Sequence, residues 1–282
     1  MVKEDIVGHK RQLQLLEKII ERKRIPHAFL FEGPEGIGKK KVALWFLSAL
    51  NCKTKEGKGC KECSSCLKIE RLTHPDLYLL EPQGDSIKIE QIREAEKILQ
   101  YKPLEAKWKG LLIEDADKMT VEAANAFLKS LEEPPPWTVI ILITQSSDAL
   151  PSTVRSRCQR IRFFPLNPKE TKEILKKMGI NKTFFVSGSP GLILRFSKEA
   201  LDLEALISKV RKGGIEAIIE ISEELGRDRN KASAFLRMLL PYFRDRGRVE
   251  SFWKILEIYR FLEEYANPRL CVEAALLELL SL

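Results

Sequence analysis

Apolar residues recur at intervals of three and four between positions 5 and 23, where Ile6, Leu13, Leu16, Ile19 and Ile20 form one stripe. That period predicts an amphipathic helix. The pattern then changes. His27-Ala28-Phe29-Leu30-Phe31 is a short apolar run and reads as a buried strand, and Lys41–Leu50 returns to a helical pattern. Residues 51–70 are rich in Cys, Lys and Gly and cannot continue that helix. Further runs predict strands at Leu77–Leu80, Gly110–Ile113, Val139–Thr144 and Ile161–Phe164. Between them lie helical patterns at Ile89–Gln100 and Val121–Leu131, and a short polar helix or turn at Leu150–Cys158. Glu132-Glu133-Pro134-Pro135-Pro136 stops the second helix. Apolar strands alternating with helices predict a parallel α/β sheet covered on both faces.

Beyond Pro165 the period is helical throughout. Pro168–Met178 is one helix, Ser187-Gly188-Ser189-Pro190-Gly191 is a turn, and Leu192–Ser197 continues helically. From Leu203 to Leu282 no strand pattern survives, and breaks at Gly213-Gly214, Gly226, Pro241, Gly247 and Pro268 predict a bundle of four or five helices.

The first strand runs into Gly33-Pro34-Glu35-Gly36-Ile37-Gly38-Lys39-Lys40. Strand, Gly-rich loop and helix is the setting of a phosphate-binding loop, in which Gly33, Gly36 and Gly38 let backbone N–H groups approach phosphate and Lys39 neutralises its charge. The eighth position of that pattern carries a hydroxyl that holds Mg²⁺. Here it is Lys40, a cation in place of a metal ligand. The third strand ends in Glu114-Asp115, the reverse of the Asp-Glu order that anchors hydrated Mg²⁺ and polarises water, so each carboxylate is displaced by one methylene. A shift of about 1 Å in a catalytic group costs on the order of 100-fold.

Cys52, Cys60, Cys63 and Cys66 offer four thiolates within fifteen residues. This set suits one tetrahedral Zn²⁺ per chain, a structural site with no open position; an iron–sulfur cluster or free thiols are the alternatives. Cys158 and Cys271 read as small buried residues, and His9, His27 and His74 join no nucleophile or metal pattern.

Composition bounds the remainder. At 282 residues with 44% hydrophobic and 31% charged positions, the chain is expected to fold as two or three globular domains. No apolar run reaches membrane-spanning length and the N-terminus is no signal peptide, so the expectation is a soluble, cytoplasmic protein with no membrane partner. The net charge of +8 permits an anionic partner such as nucleic acid without requiring one.

Ala124-Asn125-Ala126-Phe127-Leu128-Lys129-Ser130-Leu131-Glu132-Glu133-Pro134-Pro135, with Ser156-Arg157-Cys158 downstream, closely resembles bacterial clamp-loader subunits of the AAA+ superfamily. The likeness starts at Val7-Gly8-His9 and covers roughly the first 165 residues; the C-terminal bundle matches in layout only. It implies a RecA-like AAA+ α/β domain over residues 1–165 with a zinc module at about 51–70, a small helical lid domain over 166–202 and an all-α collar over 203–282 that holds the oligomer together.

The same resemblance implies site roles. Arg157 is an arginine finger that reaches ATP bound by the neighbouring subunit, with Arg155 and Arg160 its near neighbours in sequence. Thr144 is the polar sensor at the end of the central strand. The ATP-hydrolysing members carry an arginine where this chain has Gly191. With Lys40 and the inverted Glu114-Asp115 pair, that is a third departure, and the three together imply the delta-prime type rather than a gamma/tau motor. Implied partners are the gamma/tau and delta subunits, the sliding clamp, and primer–template DNA through the complex. Passive nucleotide binding by Gly33–Lys39 stays open. The rivals are an active motor-type ATPase and a stand-alone zinc-containing DNA-binding protein.

Overall fold

The computed structural model describes residues 2–177, 188–191, 203–264 and 266–280. It divides into two compact units, Met1–Met178 and Gly179–Leu282. The first is built on five parallel strands: β1 (Ala28–Glu32), β2 (Leu77–Leu80), β3 (Lys109–Ile113), β4 (Thr138–Thr144) and β5 (Gln159–Arg162), in the order β2-β3-β4-β1-β5. Its helices are α1 (Lys10–Glu21), α2 (Lys39–Leu50), α3 (Ser64–Glu70), α4 (Ile89–Leu99), α5 (Val121–Glu132), α6 (Ser152–Arg155) and α7 (Pro168–Lys177).

The inner strands β3, β4 and β1 are buried almost throughout because both faces of the sheet are covered there, whereas the edge strand β5 (Gln159-Arg160-Ile161-Arg162) buries only Ile161. The two-residue period divides β1, β3 and β4 between two cores. Phe29, Phe31, Leu112, Val139, Ile141 and Ile143 pack with Leu13 and Leu16 of α1 and Val42 and Phe46 of α2. Ala28, Leu30, Leu111, Ile113, Ile140 and Leu142 pack with Ile92 of α4 and Phe127 of α5 on the other face. Register places Glu32 beside Thr144 and Ile113 beside Leu142, so the segments after β1, β3 and β4 emerge together at the carboxyl edge. Open parallel sheets bind ligands at that edge.

Several boundaries differ from the periodic pattern. The first helix starts at Lys10, because Gly8 and His9 have φ of 81° and 53° and break any helix through them. A side chain at Gly8 would overlap Leu166. Residues 51–70, which carry no apolar period, still contain α3. The last strand lies at Gln159–Arg162, two residues before the expected run, since these four residues pair with Phe29–Glu32 of β1, and the Phe163 ring beyond them packs on Phe31 and His9.

The second unit contains, among its described residues, helices Leu203–Leu225, Arg229–Asp245, Val249–Glu264 and Pro268–Leu280. Their core includes Val210, Ile221, Phe235, Phe243, Ile255, Leu262, Val272 and Leu276. Gly214 kinks the first (φ 56°, ψ −135°), and Gly247 (φ 66°) turns the chain between the second and third. Pro241 does not break its helix, and Pro268 opens one. The expected helical continuation at Leu192–Ser197 lies outside the described residues. No helix among the described residues is long and apolar enough to cross a membrane.

Candidate functional site

The loop between β1 and α2 is shaped by glycine where a side chain has no room. Gly33 has φ 151°, and a Cβ there would lie 2.4 Å from the Phe163 carbonyl oxygen. Gly36 and Gly38 have φ of 73° and 104°. Lys39 is buried, and its Nζ donates to the carbonyls of Gly33 (2.5 Å) and Pro34 (2.7 Å). Burial draws its pKa down to about 8, against the opposing pull of Asp115, Glu35 and Asp117. The loop lysine is thus folded onto its own loop.

His9 braces the same loop. Its Nε2 lies 2.7 Å from the Ile37 carbonyl, and its ring meets Phe163 edge-on at 5.0 Å between centroids. Burial lowers its pKa, so the neutral tautomer that donates from Nε2 fits the contact. No local pattern marks this histidine, because its partner is 28 residues away.

Lys40 does not point away from the site. It forms an ion pair with Glu114 from the end of β3 and a second with Glu81 at 3.2 Å. Burial works against its charge, but the two carboxylates outweigh it and hold the ammonium above the ordinary lysine range. Burial likewise pushes the Glu114 carboxyl up, with Lys40 opposing. The eighth loop position and the first residue of the acidic pair are therefore in direct contact, as cation and anion. Asp115 adopts φ 45° and pairs with Lys118 at 3.3 Å. Thr144, buried at the end of β4, places its hydroxyl 2.6 Å from the Asp117 carboxylate. Asp117 had no assigned role in the sequence.

A further cluster had no sequence signal. Glu32, immediately before Gly33, is paired with Arg160 through two contacts, one at 2.8 Å, and faces Arg162 at 3.6 Å. The Ser147 hydroxyl also donates to it, at 3.1 Å. The Arg160 bonds, opposed by burial, bring the Glu32 pKa down to about 2. Glu32 and Arg160 are 128 residues apart and meet only because β1 and β5 are neighbours.

Arg157 follows α6. Its Nη2 pairs with Glu132 at the end of α5 (2.6 Å), and its Nη1 donates to the Thr153 carbonyl (2.9 Å). Arg155 pairs instead with Asp148 at 2.6 Å. The three arginines near Ser156 are thus distinct: Arg160 is tied to the strand edge, Arg155 to its own loop, and Arg157 to the acidic end of the Ala124–Pro135 motif.

The four cysteine sulfurs of Cys52, Cys60, Cys63 and Cys66 lie within 4.8 Å of one another, and only Cys63 is partly exposed. Backbone N–H groups of Lys55, Glu62 and Cys63 point at the sulfurs of Cys52 and Cys60 at 3.2–3.4 Å. Such donors favour thiolate. Although burial opposes it, bonds from Thr54, Cys63 and Glu62 bring the Cys60 pKa down to about 6. Four converging soft donors fit a metal ion such as zinc. Cys158 is only partly buried, and burial pushes its thiol up to about 12; Cys271 is buried.

A protein family described as "DNA polymerase III, delta subunit" matches residues 8–167. Over 171 residues, 61% of this chain, the sequence is 40% identical to the DNA polymerase III subunit delta' of Bacillus subtilis. It is 32% identical over 161 residues, 57% of this chain, to the subunit tau of the same organism. The chain spans about half the length of the first relative (52%) and 28% of the second. A crystal structure of a DNA polymerase III gamma subunit-related protein from Thermotoga maritima shares the fold, with a TM-score of 0.54 at 22% identity over 96% of this chain and 99% of that one.

Proposed function

This chain belongs to the DNA polymerase III delta-subunit family, and on that premise we propose that it is a delta-prime-type clamp-loader subunit that hydrolyses no ATP itself and supplies Arg157 to ATP bound by a neighbouring gamma/tau subunit. The observation that carries this reading is the Lys40–Glu114 ion pair. A divalent cation at that place would meet an ammonium instead of a hydroxyl ligand, and the adjacent carboxylate is already neutralised. Lys39, held by two loop carbonyls, retains the capacity to bind a phosphate without metal.

Arg157 is equipped for the role in trans. Its guanidinium is always charged and has a fixed donor fork. Its side chain is 35% exposed, its partner Glu132 is 49% exposed, and a pair of that kind is worth only about 0–1 kcal/mol. Exchanging Glu132 for a phosphate oxygen therefore costs little. The Thr153 carbonyl keeps one edge of the guanidinium oriented while the other exchanges partners.

Cys52, Cys60, Cys63 and Cys66 would hold one structural zinc, a four-thiolate site whose chemistry is cross-linking. The proposed divisions are an AAA+ domain at 1–165, a lid at 166–202 and a collar at 203–282. The proposed partners are the gamma/tau and delta subunits, the sliding clamp and primer–template DNA reached through the complex, in a bacterial cytoplasm. A motor-type ATPase is the second reading, favoured by the similarity to tau. ATP turnover separates the two. The isolated chain should turn over no ATP, and adding it to its gamma/tau and delta partners should raise theirs. Lys39-dependent hydrolysis by the isolated chain would establish the motor-type reading instead.

A further inference from the structure

Five consecutive backbone N–H groups, those of Leu104 to Trp108, are each accepted by one of two buried side chains. Asp76 takes Leu104 (2.7 Å), Glu105 (2.7 Å) and Ala106 (2.9 Å). Asn51 takes Lys107 (3.1 Å) and Trp108 (2.9 Å), and its amide returns a bond to the Trp108 carbonyl at 3.0 Å. The relative exposures of Asn51 and Asp76 are 6% and 3%. Both residues adjoin the cysteine module. Asn51 directly precedes Cys52 and closes α2. Asp76 donates its own N–H to Nδ1 of the buried His74 (3.1 Å), whose Nε2 lies 3.2 Å from the Ser65 hydroxyl, and Ser65 directly precedes Cys66. Two ion pairs repeat the link at the surface: Lys68 of α3 to Glu105 at 2.6 Å, and Glu56 of the cysteine loop to Lys107 at 2.7 Å.

These contacts have one destination. Residues 104–108 lead straight into β3, the strand that Glu114 follows, and the first residue of β3 donates its N–H to the Trp137 carbonyl at 2.7 Å. Without Asp76 and Asn51 the five donors would lose their protein acceptors just where the chain enters a buried strand. We propose that the four-cysteine module is the fastening of segment 104–108: a metal held by the thiolates locks Asn51 and the Ser65–His74–Asp76 relay in place, and these two positioning side chains fix the lead-in to β3. The proposal rests on the metal reading of the cysteines.

Purified chain would be analysed for zinc, then compared with and without chelator by hydrogen–deuterium exchange. The amides of 104–108 should exchange at least about tenfold faster after zinc removal, with those of α5 and β4 unchanged. In zinc-loaded protein, Asp76→Asn should speed exchange at 104–106 and Asn51→Ala at 107–108, with the metal retained. No metal in the purified chain would refute the metal reading itself. Zinc release with unchanged exchange at 104–108, or with equal loss of protection in α5 and β4, would refute the fastening, as would unchanged exchange at 104–106 in Asp76→Asn.

Discussion

Replacing Lys40 with methionine tests whether a side chain at the eighth loop position has become a structural partner of the acidic strand end. Lys40 is 34% exposed at its side chain and Glu114 26%, so the pair lies between the surface and the buried limit. Exposed pairs contribute about 0–1 kcal/mol, and removing one partner of a fully buried pair costs about 3–5 kcal/mol. Lys40→Met also leaves Glu114 and Glu81 without the cation between them. We expect a loss of about 2 kcal/mol at neutral pH, which for a unit of this size lowers the unfolding temperature by roughly 4–8 °C. Glu114→Gln completes a double-mutant cycle with an expected coupling of about 1–2 kcal/mol. The sign of the pH dependence follows. In Lys40→Met, burial without a counter-ion raises the folded-state pKa of Glu114 further, so the variant's deficit is largest when that carboxylate is ionised. It shrinks as pH falls through the folded-state value toward the ordinary carboxylate range. Urea unfolding of the four proteins at two pH values measures both effects. A coupling below about 0.3 kcal/mol, or a deficit that grows on acidification, would refute the reasoning.

Other outcomes follow from the same geometry. Arg157→Ala should leave folding and assembly intact but lower the ATPase of the complex by about 10³-fold or more; an assembled complex with unaltered turnover removes the finger. The Glu32 carboxyl has a pKa depressed from 4.5 to about 2, so its stabilisation is full above about 4.5 and disappears as pH falls toward 2. Arg160→Gln should flatten that acid limb in denaturant titrations at pH 6 and pH 3, and equal slopes would show that the pair does not hold Glu32. Gly33→Ala should cost about 1–3 kcal/mol, because its Cβ would press on the Phe163 carbonyl at 2.4 Å; a wild-type melting temperature would count against that strain. Metal analysis should find about one zinc per chain, and Cys66→Ser should lose it; full zinc content in that variant would exclude Cys66 as a ligand.

Strands β1 to β4 were legible because they are short apolar runs, a signal that survives without knowledge of any partner, whereas β5 (Gln159-Arg160-Ile161-Arg162) is mostly polar and its bounds follow from pairing with β1. The phosphate-loop frame was legible because its glycines and Lys39 are contiguous. The helix α3 was not, since seven residues at Ser64–Glu70 carry too short a period, with only Ser65, Cys66 and Ile69 buried. His9, Glu32 and Asp117 escaped notice for a different reason. Each finds its partner on another element, 28, 128 and 27 residues away, and no local pattern marks such a meeting. Pro241 marked a break in the pattern yet sits inside a helix, where packing overrides the local cost.

The order of elements, the glycine loop, the lysine at its eighth position and the four thiols follow from the sequence alone, because each is a matter of residue type at short spacing. What the lysine does follows only from the tertiary structure. The parallel order β2-β3-β4-β1-β5 brings the ends of β1 and β3 to one edge, and there Lys40 meets Glu114 as a counter-ion. The same holds for the cysteines: their spacing defines a metal-ligand set, but only the fold places Asn51 and Asp76 against the lead-in to β3. Residue identity fixes what chemistry is available along a chain. Which groups neutralise or hold one another depends on distance, and distances between remote residues are decided by packing.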